Sequence, residues 1–122
     1  MLVNFSNHAS ETWSEKQYEA AMAYGGVIDI SFPEVPAEAD ESEISIIADN
    51  SFFRIMSENP TAVLVQGEMS LSFAVVRRIT AAGIPVICAC SKRCCETVLR
   101  EDGSTERKSV FKFIRFREYE KD

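Results

Sequence analysis

His8 is the only histidine in the chain. It lies in a polar stretch, Ser6-Asn7-His8-Ala9-Ser10, that follows the strand-like run Val3-Asn4-Phe5. An imidazole can take or give a proton near neutral pH and, when charged, can hold a phosphate. Ser6 and Asn7 flank it with a hydroxyl and an amide that suit a ligand or a turn of their own backbone. A second polar stretch, Gln66-Gly67-Glu68-Met69-Ser70, follows the apolar run Val63-Leu64-Val65. A glycine there lets backbone approach a ligand, and N–H groups opening a helix point at any anion held nearby. Glu68 would repel a phosphate, so its expected role is to accept a ribose hydroxyl or to cap the helix. Ser91-Lys92-Arg93 offers positive charge, with Arg93 able to grip phosphate oxygens through two nitrogens. A lone glycine is not a phosphate-binding fingerprint, so these assignments rest on where the elements place the residues.

Those elements read as an α/β fold. Val3 to Ser6 is a first strand, and Ser10, Thr12 or Ser14 caps a helix from about Ser14 to Tyr24 that Gly25-Gly26 ends. Val27 to Phe32 is a second strand, read as apolar throughout, as a sheet covered on both faces requires. The linker Pro33 to Asp40 leads to a helix with Asp40 as N-cap, and Ile44, Ile47, Ala48, Phe52, Ile55 and Met56 form its apolar stripe. Thr61 to Gln66 is a third strand, Ser70 to about Ala82 a third helix, and Ile84 to Cys90 a fourth strand. The alternation predicts a Rossmann-like three-layer sandwich with a mostly parallel sheet of four strands. Glu96 to Arg100 and Lys108 to Phe116 flank an Asp102-Gly103 turn, which predicts a C-terminal antiparallel hairpin. The expected organisation is one domain over 1–122, a core over 1–92 and a hairpin over 93–119. In an open sheet of this kind, loops at the carboxyl ends of diverging strands flank a crevice. Ser6, Asn7, His8, Gln66, Gly67, Glu68, Ser70, Ser91, Lys92 and Arg93 are therefore expected to share one site.

Bulk properties narrow the partners. The net charge of −6 disfavours long DNA or RNA, whose binding draws on a basic face, but leaves a small phosphate ligand open. The apolar runs are short and no basic-then-apolar leader opens the chain, so the expectation is a cytoplasmic protein without membrane contact. Cys88, Cys90, Cys94 and Cys95 lack paired C-x2-C spacing, and two of them fall in the fourth strand, so packing cysteines are expected and no metal is assigned. Trp13 suits the core better than base stacking. Lys112, Arg115 and Arg117, between Phe111, Phe113, Ile114 and Phe116, read as a strand with solvated cations.

In order and spacing the chain resembles the small CRISPR-associated proteins built on a CARF-like Rossmann domain. The resemblance rests on Asn4-Phe5-Ser6-Asn7-His8, on Val65-Gln66-Gly67-Glu68 with Ser70, and on the basic-aromatic end Phe113-Ile114-Arg115-Phe116-Arg117-Glu118-Tyr119. It implies a homodimer with a cyclic oligoadenylate bound across the two-fold axis, no cofactor, and metal-independent cleavage by a ribose 2′-hydroxyl. It also implies proton transfer by His8, positioning by Ser6 and Asn7, charge stabilisation by Lys92 or Arg93, and contacts to phosphate or ribose from Gln66, Gly67 and Ser70. With no separate effector domain, such a protein would degrade or sequester a signal. The alternatives are a module of the same fold that binds a cyclic nucleotide without turnover, or a subunit whose loops serve only protein contacts.

Overall fold

The computed structural model describes residues 1–121. Its elements are β1 (Leu2–Ser6), α1 (Glu15–Met22), β2 (Val27–Ser31), α2 (Glu41–Met56), β3 (Ala62–Gln66), α3 (Met69–Ala81), β4 (Val86–Leu99) and β5 (Thr105–Glu118). The strands form one sheet in the order β2-β1-β3-β4-β5. β2, β1, β3 and β4 run parallel, and β5 returns antiparallel to β4. The sheet thus has five strands where four plus a hairpin were expected, because β4 is itself the first arm of the hairpin. β4 runs unbroken through positions 92 and 93, so core and hairpin share a strand.

The strand order dictates the layers. Chain direction reverses across the sheet after β2, and right-handed crossovers then send α1 to one face and α2 and α3 to the other. The α2–α3 face is fully covered. There Val3, Phe5, Val63, Val65 and Val86 pack with Ala48, Ile55, Leu71, Val75 and Ile79 in one buried cluster. Leu71, Val75 and Ile79 follow one another at four-residue steps, so a single helix stripe is lost from water, worth about 2 kcal/mol per side chain. The opposite face has only the 8-residue α1, about 12 Å long. It covers the amino-terminal half, where Leu2, Ala21, Ala62, Leu64 and Ile87 cluster.

Local chemistry sets the boundaries. The Ser14 hydroxyl accepts from the Gln17 N–H at the start of α1, and Asp40 accepts from the Glu43 N–H at the start of α2. α1 ends at Met22, and the turn after it holds Gly25 and Gly26 at positive φ, which a side chain would strain. β2 departs from the expected apolar strand. It is the sheet edge, and Asp29 and Ser31 are exposed.

Beyond Ala89, β4 leaves β3 and pairs only with β5. The two arms continue as a two-stranded ribbon past the carboxyl ends of β1 and β3. A bulge at Cys90/Ser91 skips Ile114 in the register. It lets Phe113 and Phe116 lie on one face although three residues apart, with ring centroids 5.0 Å from each other. Tyr119 closes the strand by donating its hydroxyl to the Val65 carbonyl at 2.8 Å.

Candidate functional site

On the α1 face the side chains turn from apolar to polar along each strand. Leu2 gives way to Asn4 and Ser6, Leu64 to Gln66, and Ala89 to Ser91. α1 stops short of these polar ends, and the ribbon rises beside them. The result is an open cleft of about 640 Å³. Ser6, Leu64, Gln66 and Ala89 floor it, His8, Thr12, Trp13 and Lys16 form one wall, and Ser91, Phe111, Lys112 and Phe113 form the other. No carboxylate among the described residues lines it. The cleft sits beside the β1–β3 junction, where the strand order switches direction.

The His8 loop is held by hydrogen bonds to its backbone. The His8 carbonyl accepts from Asn4 Nδ2 at 2.8 Å and from Trp13 Nε1 at 3.2 Å. Asn4 Nδ2 also donates to Asp29 Oδ1 at 2.9 Å, while Asn4 Oδ1 accepts from the Ser6 hydroxyl at 2.7 Å. Asp29 in turn accepts from the Ser10 N–H and hydroxyl. Every polar atom of the Asn4 side chain, 1% exposed, is therefore satisfied, as burial demands. Ser6 serves this network first and only borders the cleft. Asn7 lines a smaller recess of about 180 Å³ between β1 and β2 instead. Asn4→Ala is expected to cost about 2 kcal/mol, since it orphans buried partners of the network. Thermal unfolding reads this as a lower Tm, and an unchanged Tm would show that the network holds nothing together.

The β3–α3 loop divides between the two faces. Gln66 points into the cleft, where its amide pairs with both backbone groups of Ala89: Oε1 accepts from the N–H at 2.8 Å and Nε2 donates to the carbonyl at 3.5 Å. It clips β4 where that strand leaves the sheet. Gly67 is a glycine for a different reason from the expected one. A Cβ there would lie 2.5 Å from the Phe32 ring, so the core itself requires glycine here. Gly67 lines a separate recess of about 300 Å³ with Phe73 and Tyr119 instead of the cleft. Glu68 is the N-cap of α3, accepting from the Ser70 and Leu71 N–H groups and the Ser70 hydroxyl. Glu68 and Ser70 thus satisfy each other, and neither lines the cleft.

The Leu71 N–H, then the Ser70 groups, hold the Glu68 carboxyl below its ordinary 4.5. A carboxyl lowered on folding adds stability above its unfolded value, and that stability fades as pH falls through the lowered folded value. Glu68→Ala is expected to lose about 1 kcal/mol at neutral pH, the usual worth of an N-cap. The difference from the parent should shrink in unfolding curves taken well below pH 4.5, as the part carried by the carboxylate charge is lost.

Ser91, Lys92 and Arg93, expected in a loop after the fourth strand, lie inside β4. Strand alternation aims Ser91 and Arg93 to the cleft side and Lys92 to the other. Arg93, paired across the ribbon with Phe111, is one step beyond the cleft and donates to the Ser109 hydroxyl. The cations bordering the cleft are Lys16 and Lys112, and Lys112 Nζ is 3.0 Å from Glu96, whose carboxylate raises its pKa. Trp13 is part core and part wall, its ring edge-on to Phe116 at 6.2 Å. Cys88, Cys90 and Cys94 are half-buried and Cys95 is exposed, all as free thiols. Burial raises the Cys88 pKa, which favours a packed thiol over a thiolate.

Asn4, Asp29 and Lys16 were not singled out by reading the sequence. Asn4 and Asp29 carried a signal, being polar residues within otherwise apolar strands, paired across β1 and β2. Lys16 carried none, since a solvated helix lysine looks the same. No helix among the described residues is long and apolar enough to cross a membrane. No curated protein matches the chain. Over residues 1–117 the chain matches the family model described as the Uncharacterized protein MJ1673 family, and it belongs to that family.

Proposed function

We propose that the cleft binds a cyclic oligoadenylate and opens the ring by metal-independent phosphodiester cleavage. The observation that carries this reading is the charge of the cleft. In a chain of net charge −6, its lining offers Lys16 and His8 and, among the described residues, no carboxylate. Lys112 also borders it but holds its ammonium against Glu96 on the ribbon's other face. Such a lining favours a phosphate ligand, and the rings of Trp13 and the exposed Phe111 suit nucleobases. A volume of about 640 Å³ is within the range of small-ligand sites and too small for a whole ring. Two copies sharing one ring about a two-fold axis would double it.

In the proposed reaction a ribose 2′-oxygen attacks the adjacent phosphorus while the bond from phosphorus to the 5′-oxygen breaks. The 2′-hydroxyl proton passes to a base and a proton is delivered to the 5′-oxygen. The products are a 2′,3′-cyclic phosphate and a 5′-hydroxyl on one linear strand. His8 is the proton-transfer group, and Lys16 takes the charge-stabilising place first expected of Lys92 and Arg93. Ser91 and Gln66 contact phosphate or ribose. The chemistry needs in-line placement and a stabilised phosphoryl charge more than a nucleophile of the protein's own.

A second reading, binding without turnover, is favoured by one feature. The imidazole has no carboxylate behind it in the cleft to orient it. Incubation of the metal-free protein with cyclic tetra- and hexa-adenylate, followed by chromatography, separates the two. Linear products with a 2′,3′-cyclic phosphate are the expected result. An intact ring with a raised Tm would leave the binder, and an intact ring with an unchanged Tm would overturn both.

A further inference from the structure

The ribbon differs sharply between its two faces. Every carboxylate on its strands beyond Ala89, Glu96 and Glu106, is even-numbered, as are Lys92, Lys108 and Lys112. That face balances itself, with Lys112 on Glu96. The odd-numbered face has two arginines, Arg93 and Arg107, and no acid. Neither arginine makes an ion pair among the described residues. Beside them lie Phe111 and Leu99, each 73% exposed. A free two-stranded ribbon is marginal in water, and one with bare aromatic and aliphatic surface is short of a partner.

The same side of the sheet presents the complement. On α1, Glu15, Tyr18, Glu19 and Met22 fall at three- and four-residue steps and form one outward stripe. Tyr18 is 43% and Met22 46% exposed. The division extends to the whole chain. Residues 1–85 hold four lysines and arginines against twelve carboxylates, whereas residues 86–118 hold eight against five.

We infer that the β4–β5 ribbon is a dimerisation arm. Its Arg93–Arg107–Phe111–Leu99 face lies on the Glu15–Tyr18–Glu19–Met22 stripe of α1 in a second copy of this chain, and the exchange is reciprocal. A two-fold axis satisfies both surfaces twice with one contact type and leaves no open end. Because α1 and the ribbon are the two walls of the cleft, each arm would cap the partner's cleft. The inference rests on the two-copy part of the proposed function and not on its chemistry.

Light scattering across a dilution series, without nucleotide, tests the interface alone. The parent protein is expected to be a dimer whose dissociation constant rises with salt. R93E/R107E and E15K/E19K should each raise that constant by at least about tenfold, and the fourfold variant should return it to within about threefold of the parent. All four positions are exposed, and circular dichroism melting establishes that each variant is folded. Leu99→Asp or Met22→Asp replaces any that is not, with the same expected weakening. A monomeric parent, a reversal without effect, or a folded fourfold variant as weak as the doubles would overturn the inference. Cleavage of the ring by a monomer would separate its failure from that of the proposed reaction.

Discussion

Replacing His8 with alanine is expected to lower the rate of ring opening by about 10²- to 10⁴-fold, the usual worth of a positioned acid–base group. The loop is built so that this substitution removes the ring and little else. Asn4 Nδ2 and Trp13 Nε1 both donate to the His8 carbonyl, and the Ser6 hydroxyl accepts from the His8 N–H. All three contacts are to backbone and survive the loss of the imidazole. The melting temperature should therefore stay close to the parent's, and the affinity for an intact ring should change by only a few-fold. Lys16→Ala should behave differently. It removes a cation that meets phosphate in the ground state as well as the transition state, so binding weakens along with rate. Lys92→Ala should do neither, since Lys92 points away from the cleft. A His8→Ala protein that opens the ring at the parent's rate would leave the cleft as an orienting surface only.

Gly67→Ala is expected to destabilise the protein by about 3 kcal/mol, the high end for forcing extra volume into a packed core. The added Cβ would sit 2.5 Å from three carbons of the Phe32 ring. Phe32 also packs on Phe5 with ring centroids 4.9 Å apart, so moving it aside breaks that contact. Both rings belong to the main core cluster. Either Phe32 leaves the core or β3 shifts away from α3, and both expose apolar surface. Denaturant unfolding would show this as a lower midpoint with a similar slope. Phe32→Leu in the Gly67→Ala background should recover part of the loss, since the smaller side chain makes room. If Gly67→Ala were as stable as the parent, the residue's role would return to ligand approach.

The amino-acid order settled most of the elements and little of the site. The helices and the first three strands followed from patterns confined to a few residues. Examples are Ser14 and Asp40 capping their helices, Gly25-Gly26 following α1, and the spaced apolar stripe of α2. These rules work because capping and amphipathicity are local. The β4 boundary was missed for the same reason. Ser91-Lys92-Arg93 is polar and reads as a loop, yet it is held as strand by backbone pairing with Phe111, Lys112 and Phe113, about twenty residues away in sequence.

Polar groups at strand ends marked the right end of the sheet, and Ser6, His8, Gln66 and Ser91 do meet there. The alternation of strands and helices, and the polar residues where β1, β3 and β4 turn outward, were legible in the residue order. Which of those residues share a surface was settled by how the elements pack. Crossover handedness put α1 alone on one face and sent Gly67, Glu68 and Ser70 toward the other. The bulge at Cys90/Ser91 brought Phe113 and Phe116 to the same side, which strict period-two alternation forbids. The physical reason is that periodicity fixes the face a residue takes within its own element. Which other element covers that face depends on pairings between segments distant in the chain, and no local pattern records them.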